Sequence, residues 1–174
     1  MDKREVIKTL FTFLNSLTKR CLVLDTNNIK GMPKLILNIL TKEFTKALSI
    51  TFISPSIELF KEIFPNLKDS IKVNTEYSIG PHKISFHIYE KSLVKRPIED
   101  TEILIVYPID EIKEKDLVKL MDGSKKMKKA FLIADSIKEV NKAFKKFHPA
   151  FLSLKPSDDE SYYGNMREKL FDIK

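Results

Sequence analysis

The loop of residues 25–33 is the segment of this 174-residue sequence whose residue types come closest to a chemical site. It follows a short apolar run, residues 21–24, and its one-letter sequence is DTNNIKGMP. A continuous apolar run of this length is typical of a buried strand in a parallel sheet. In such sheets the ligand site lies beyond the carboxyl ends of the strands. We therefore expect a ligand site of this chain to include this loop.

Phosphate chemistry at such a loop requires particular residues. The pattern G-x-x-x-x-G-K-[ST] supplies backbone N–H groups that wrap phosphates, a Lys that reaches the outer phosphates and a hydroxyl that holds magnesium. Here Thr26 takes the first glycine position and Gly31 the second. Met32 replaces the Lys, Pro33 replaces the hydroxyl, and Lys34 comes two places late, where it should point elsewhere on the following helix. The sequence thus predicts a chain that does not hydrolyse nucleotides and needs no cofactor.

Positive charge marks a second candidate site. The chain has 31 Lys and Arg against 24 Asp and Glu, a formal net charge of +7. The possible nucleic-acid contacts are Lys125, Lys126, Lys128, Lys129, Lys142, Lys145 and Lys146. If these side chains share one face, they would contact phosphates and release counterions. Ordinary solvated helix ends are the alternative interpretation.

Short apolar strands alternate with amphipathic helices along the chain. The predicted helices cover residues 3–18, 33–44, 55–65, 113–121 and 136–147, with Ser54 as the N-cap of the third. The predicted strands cover residues 21–24, 48–53, 71–77, 84–89, 103–107, 130–134, 150–154 and 169–173. This order predicts one α/β domain over residues 1–174. We expect three layers, a mostly parallel sheet with helices on both faces, and a C-terminal antiparallel hairpin.

This layout resembles a RecA-like P-loop domain of the KaiC and RadA kind. The resemblance covers most of the chain and rests on strand 22–25, the loop ending in Gly31, and strand 103–107. Where that family has a magnesium-linked Asp at the end of a strand, this chain has Tyr107 and Pro108, and Asp110 is displaced into the loop. Phosphoryl transfer depends on such groups. The resemblance therefore implies a non-catalytic, degenerate P-loop relative.

The implied role is that of an interaction or regulatory subunit. A protein partner is expected, either an active RecA-family relative or a replication or repair protein. Nucleic acid is the further candidate partner, in recombination, repair or replication.

Two other resemblances remain open. Residues 22–27 resemble the opening of a PIN-like nuclease, in which Asp25 would be the first metal ligand and Asp135 the best additional one. Such sites need several carboxylates that converge on magnesium or manganese. The leading helix, the first strand and residues 50–55 resemble the start of RecJ-like DHH proteins, which include inactive replication scaffolds. The paired His and clustered Asp residues of the active phosphoesterases are missing.

Composition narrows the class of protein. Hydrophobic residues make up 43% of the chain and charged residues 32%, which is enough apolar material for a core. The longest apolar runs are too short to span a bilayer, and the N-terminal residues do not resemble a signal peptide. The single Cys21 and three scattered His residues give no disulfide or zinc pattern. We expect a cytoplasmic protein. The absence of Gln and Trp, with abundant Lys, Glu and Ile, is typical of a thermophile, whereas the Asn residues argue against one and A/T-rich codon usage would give the same bias.

Overall fold

The computed structural model describes residues 3–27, 31–67, 69–96, 98–136, 147 and 149–154. The helices of this part are α1 (Lys3–Asn15), α2 (Met32–Glu43), α3 (Ile57–Ile63), α4 (Lys91–Lys95) and α5 (Glu114–Gly123). The strands are β1 (Cys21–Asp25), β2 (Ser49–Ser54), β3 (Glu76–Ile79), β4 (His82–Ile88), β5 (Ile103–Val106), β6 (Lys129–Ala134) and β7 (Ala150–Ser153). None of the described helices is long and apolar enough to cross a bilayer.

These seven strands form one sheet in the order β3-β4-β2-β5-β6-β1-β7. Among the described strands, only β3 and β4 pair antiparallel, and every other neighbouring pair is parallel. The predicted mixed α/β architecture with a mostly parallel sheet is therefore confirmed. Parallel strands need crossover connections, which explains why apolar strands alternate with helices in the sequence.

Helices cover both faces of the sheet because each strand alternates its side chains between them. On one face, α1, α2 and α3 pack against residues such as Leu22, Phe52 and Phe131, and these belong to one continuous core. On the other face, α5 packs Leu117 and Leu120 against the opposite sides of β5 and β6. Full burial of each such side chain contributes about 1.5–3 kcal/mol to folding.

The N-cap of α3 differs from the prediction. Ser54 does not begin the helix, because its carbonyl accepts a hydrogen bond from the Tyr89 amide at 2.8 Å and keeps it in β2. Ser56 is the N-cap instead, and its hydroxyl accepts a hydrogen bond from the Leu59 amide at 3.4 Å. The prediction therefore placed a serine N-cap two residues too early. Pro55 did not distinguish the two serines, because a proline is tolerated both in the first turn of a helix and just before its N-cap.

Two other segments depart from the predicted order. Residues 90–102, which lie outside the predicted helices and strands, contain the short helix α4, and the third strand begins at Glu76 rather than at residue 71. The strand expected to open the C-terminal hairpin is β7, which pairs parallel with β1. Its expected antiparallel partner at 169–173 and most of the helix at 136–147 lie outside the described residues.

Candidate functional site

The carboxyl edge of the sheet gathers the loops that follow β1, β2, β5 and β6. The chain leaves β2 through α3 on one face and leaves the adjacent β5 through α5 on the other face. Connections that diverge in this way open a crevice at the ends of the strands, which is where open α/β sheets bind ligands. Gly31 and Pro33, at the end of the loop of residues 25–33, line a cleft at this edge, and residues 28–30 lie outside the described part.

Thr26, at the first glycine position of the expected phosphate loop, is 1% exposed. Its hydroxyl donates a hydrogen bond to the Ala134 carbonyl at 2.9 Å, and its amide donates to the same oxygen at 3.0 Å. Both groups therefore tie β1 to the end of β6. Neither points its donor at a ligand.

The end of the loop is shaped by Gly31, which has φ 100° and ψ −6°. This left-handed conformation favours glycine, because a Cβ would clash there. The next residue, Met32, begins α2 and is fully buried in the core. Pro33 occupies the first turn of the helix, where its missing N–H costs no hydrogen bond. A thioether thus packs inward directly after Gly31.

The sequence predicts that Lys34 points away from the loop, but in the structure it lies beside the loop. Its side chain is only 4% exposed, and it lines a cleft of about 50 Å³ together with Gly31, Glu62 and Tyr107. Residues three apart on a helix share a face, so the spacing from Gly31 to Lys34 could have indicated this. The cleft brings a Lys close to the loop, but not at the position that the phosphate pattern requires.

Tyr107 stands where the resemblance implied a magnesium-linked Asp. Its hydroxyl donates a hydrogen bond to Asp135 Oδ1 at 2.8 Å. Burial raises the pKa of Tyr107 well above its usual value, and the hydrogen bond to Asp135 and the charges of Asp135, Glu62 and Asp110 raise it further. The phenol therefore stays protonated and acts as a donor. Alternation along β5 predicts its direction, because Ile103 and Ile105 face the same core.

Asp110, the displaced carboxylate, holds the turn after β6. It accepts hydrogen bonds from the amide of Asp135 at 2.9 Å and from the amide of Ser136 at 3.4 Å. A carboxylate used in this way fixes the backbone next to the crevice. Asp110 therefore orders a neighbouring loop.

Asp25, the metal ligand of the nuclease alternative, also bonds within the chain. Its Oδ1 accepts from the Asn27 amide at 3.1 Å, and its Oδ2 accepts from the Ser153 hydroxyl at 3.4 Å. The described ranges hold no group of three or more His, Cys, Asp or Glu that could bind a metal ion. Asp135 bonds to Tyr107 rather than joining such a group with Asp25. This part of the chain gives the nuclease alternative no support.

Four of the lysines predicted as nucleic-acid contacts lie at the opposite, amino edge of the sheet, in the segment that leads into β6: Lys125, Lys126, Lys128 and Lys129. Lys126 pairs with Asp100 at 2.6 Å and Lys128 pairs with Glu102 at 2.5 Å. Lys125 is exposed. Lys142, Lys145 and Lys146 lie outside the described residues.

The prediction that Lys129 contacts nucleic acid is wrong, because only 8% of this residue is exposed. Its ammonium donates to the carbonyls of Phe13, Ser16 and Lys19 at 2.8, 2.5 and 2.6 Å. Lys129 therefore holds the end of α1 and the segment between α1 and β1, and it does not offer a free charge to phosphate. The sequence did not indicate this role, because Lys129 belongs to a run of lysines that is typical of a solvent-exposed surface.

No protein-family model and no curated protein sequence matches this chain. Similar solved structures include the large terminase of a thermophilic bacteriophage in complex with ADP. It aligns with 88% of this chain and 46% of its own at a TM-score of 0.56 and 9% identity. Another crystal form of that large terminase aligns with 90% of this chain and 48% of its own, at a TM-score of 0.53 and 8% identity.

The chain spans about half the length of these large terminase chains. Identities this low show the fold alone. The likeness shows that this chain shares the mixed α/β fold of these large terminase structures over most of its length. A shared fold does not carry a shared activity, which has to be argued from the residues of the site.

Proposed function

We propose that this chain is a non-catalytic RecA-like domain that acts as an interaction or regulatory subunit. Its partner is a protein, an active RecA-family relative or a replication or repair protein, and the assembly works on DNA. The domain itself does not turn over nucleotide.

The burial of Met32 carries this proposal. Its position directly follows Gly31, where the phosphate pattern has its Lys. Because Met32 is fully buried, a Lys at this position would need either a rearranged helix start or a buried charge. Neither the thioether nor the ring of Pro33 can stabilise the charge that develops on a transferred phosphoryl group.

The groups around Tyr107 support the same view. Metal-assisted phosphoryl transfer needs carboxylate or hydroxyl oxygens that are free to hold the ion. Here the hydroxyls of Thr26 and Tyr107 donate to protein oxygens, and the Asp110 carboxylate accepts from backbone amides. One large terminase neighbour is in complex with ADP. We propose that this chain has kept the framework of such a domain without the residues for turnover.

The test is magnesium-dependent ATP hydrolysis by the purified chain, compared with the variants Lys34→Ala, Asp135→Asn and Lys119→Ala. Lys34 and Asp135 are charged residues beside the loop, and Lys119 is an exposed residue of α5 that serves as the matched control. We expect no hydrolysis above the buffer rate in any sample. Hydrolysis that falls in the Lys34 or Asp135 variant and persists in the Lys119 variant would refute the proposal. Equal hydrolysis in all four samples would identify a contaminant.

A further inference from the structure

A cleft of about 490 Å³ opens at the amino edge of the sheet, on the side opposite the loop of residues 25–33. We call it the amino-edge cleft. It lies among residues that precede or begin strands, such as Arg20 before β1, Leu48 before β2 and Ile103 at the start of β5. Its volume falls in the range of about 300–1,000 Å³ that is usual for ligand sites. The cleft beside Lys34 is far smaller.

The floor of the amino-edge cleft is apolar. Leu14, Phe44, Leu48 and Ile103 line it, and all four pack on or belong to the core beneath it. At its mouth Leu17 is 99% exposed. A single exposed Leu is ordinary, but one that adjoins an apolar cleft provides a contact for an apolar partner.

The rim of the cleft is cationic. Arg20, Lys46 and Lys128 line it, and no Asp or Glu is among its described lining residues. Arg20 donates one hydrogen bond to the Met127 carbonyl at 2.7 Å, which positions the guanidinium and leaves it further N–H donors. Lys128 is partly neutralised by Glu102. Arg20 and Lys46 are exposed charges that line the cleft together with Leu17.

Lys129 adds a further positive charge to the lining of the cleft. A helix C-terminus carries partial negative charge on its last carbonyls and would repel an acidic ligand. The Lys129 ammonium, which lines the cleft, donates to the Phe13 carbonyl in the last turn of α1 and to the carbonyls of Ser16 and Lys19 after the helix. The surface offered to a partner is thus an apolar floor inside a positive rim.

We propose that the amino-edge cleft binds an acidic, amphipathic segment of a partner protein. The segment would place a large apolar side chain on the floor and carboxylates against Arg20 and Lys46. This pairing is that of a peptide whose apolar residues anchor it and whose charges orient it. Nucleic acid fits less well, because Phe44 is the only aromatic residue that lines the cleft in the described part, and base stacking needs more. The interpretation of this cleft as a contact between subunits rests on the proposed function.

The experiment selects binders from a random library of displayed 16-residue peptides against the full chain. We expect enrichment of peptides rich in Glu or Asp with Leu or Phe at helical spacing. The most enriched peptide, labelled with fluorescein, is then titrated against the chain and its variants by fluorescence anisotropy. The variants Leu17→Glu and Lys46→Glu should each weaken binding about tenfold or more, and binding should also weaken as salt increases.

The matched controls are Phe151→Ser, an exposed apolar residue of β7, and Lys119→Glu, an exposed Lys of α5, neither of which lines the cleft. Both should bind like the unchanged chain. The proposal fails if no peptides are enriched, if enriched peptides lack acidic residues, or if cleft and control variants bind alike. It also fails if a single-stranded oligonucleotide binds more tightly and shows the same variant dependence. These outcomes are separate from ATP hydrolysis, so that each proposal can fail alone.

Discussion

The two edges of the sheet differ in how they use their polar groups. At the carboxyl edge, the Thr26 and Tyr107 hydroxyls and the Asp110 carboxylate bond to other strand ends, and the cleft there is about 50 Å³. At the amino edge, a cleft of about 490 Å³ has exposed cations on its rim, including Lys46. The edge where this fold normally binds ligands is the more closed one here.

The fold itself does not dictate the groups at the strand ends, because the crossovers and the buried strands require only apolar side chains in the right pattern. At the carboxyl edge, the polar groups of Thr26, Tyr107 and Asp110 bond to the end of β6 and to the residues that follow it, so fewer polar groups are left unpaired there.

The largest effect is expected from Met32→Lys, which tests whether the carboxyl edge is closed. A buried ammonium without a partner must be desolvated, so we expect a loss of about 4 kcal/mol in the free energy of unfolding or a failure to fold. The matched variant Met32→Leu conserves volume and should cost less than about 1.5 kcal/mol. Urea denaturation measures both. If the Lys variant is as stable as the Leu variant, the loop can hold a Lys and the contrast between the edges disappears.

Much of the fold could be predicted because its signals are local. The apolar runs of β1, β5 and β6 and the stripe of α2 each lie within a dozen residues, and the periodicities of strand and helix differ. The location of the loop of residues 25–33 follows from the same reasoning. The absence of a Lys at position 32 is a matter of residue identity and needs no structure.

The site partners could not be predicted, because they join residues distant in sequence. Tyr107 meets Asp135, and Thr26 meets Ala134, only when β5, β1 and β6 are adjacent. The amino-edge cleft depends likewise on the sheet order. Lys129 shows the limit most clearly, since the residue types around it in the sequence indicate surface, whereas its three carbonyl partners lie more than a hundred residues away.

An intermediate effect is expected from Lys129→Met, which tests the amino edge. The variant keeps an apolar stem but removes the ammonium that donates to the carbonyls of Phe13, Ser16 and Lys19. We expect a loss of about 2 kcal/mol in the free energy of unfolding, because hydrogen bonds to charged groups are stronger than neutral ones. The exposed neighbour Lys125→Met should change it by less than about 0.5 kcal/mol. Urea denaturation of both variants is the measurement, and equal losses would show that Lys129 is an ordinary surface residue.

The smallest effect is expected from Glu102, whose charge lies just behind the rim of the amino-edge cleft. Burial alone would raise the pKa of Glu102, but hydrogen bonds from Lys128 and the Ser49 amide and the charges of Lys128 and Lys46 outweigh it, so that the pKa lies below the ordinary 4.5. Between the pKa of Glu102 in the folded chain and its ordinary pKa of 4.5, the unfolded chain therefore binds more protons than the folded chain. The stability that Glu102 contributes is fully present above about pH 4.5, and it is lost as the pH falls through the pKa of the folded chain.

In Glu102→Gln this contribution is absent, so the fall in stability between about pH 6 and pH 3 should be smaller by up to about 1 kcal/mol. Urea denaturation at several pH values measures it. Asp100→Asn is the control, because the pKa of Asp100 is also lowered, by the hydrogen bond and charge of Lys126, but that pair is exposed and should matter less. A larger effect for Asp100 than for Glu102 would show that the partly buried pair of Glu102 with Lys128 is no stronger than an exposed pair. The charges on the rim of the amino-edge cleft would then be too strongly screened by solvent to orient an acidic partner.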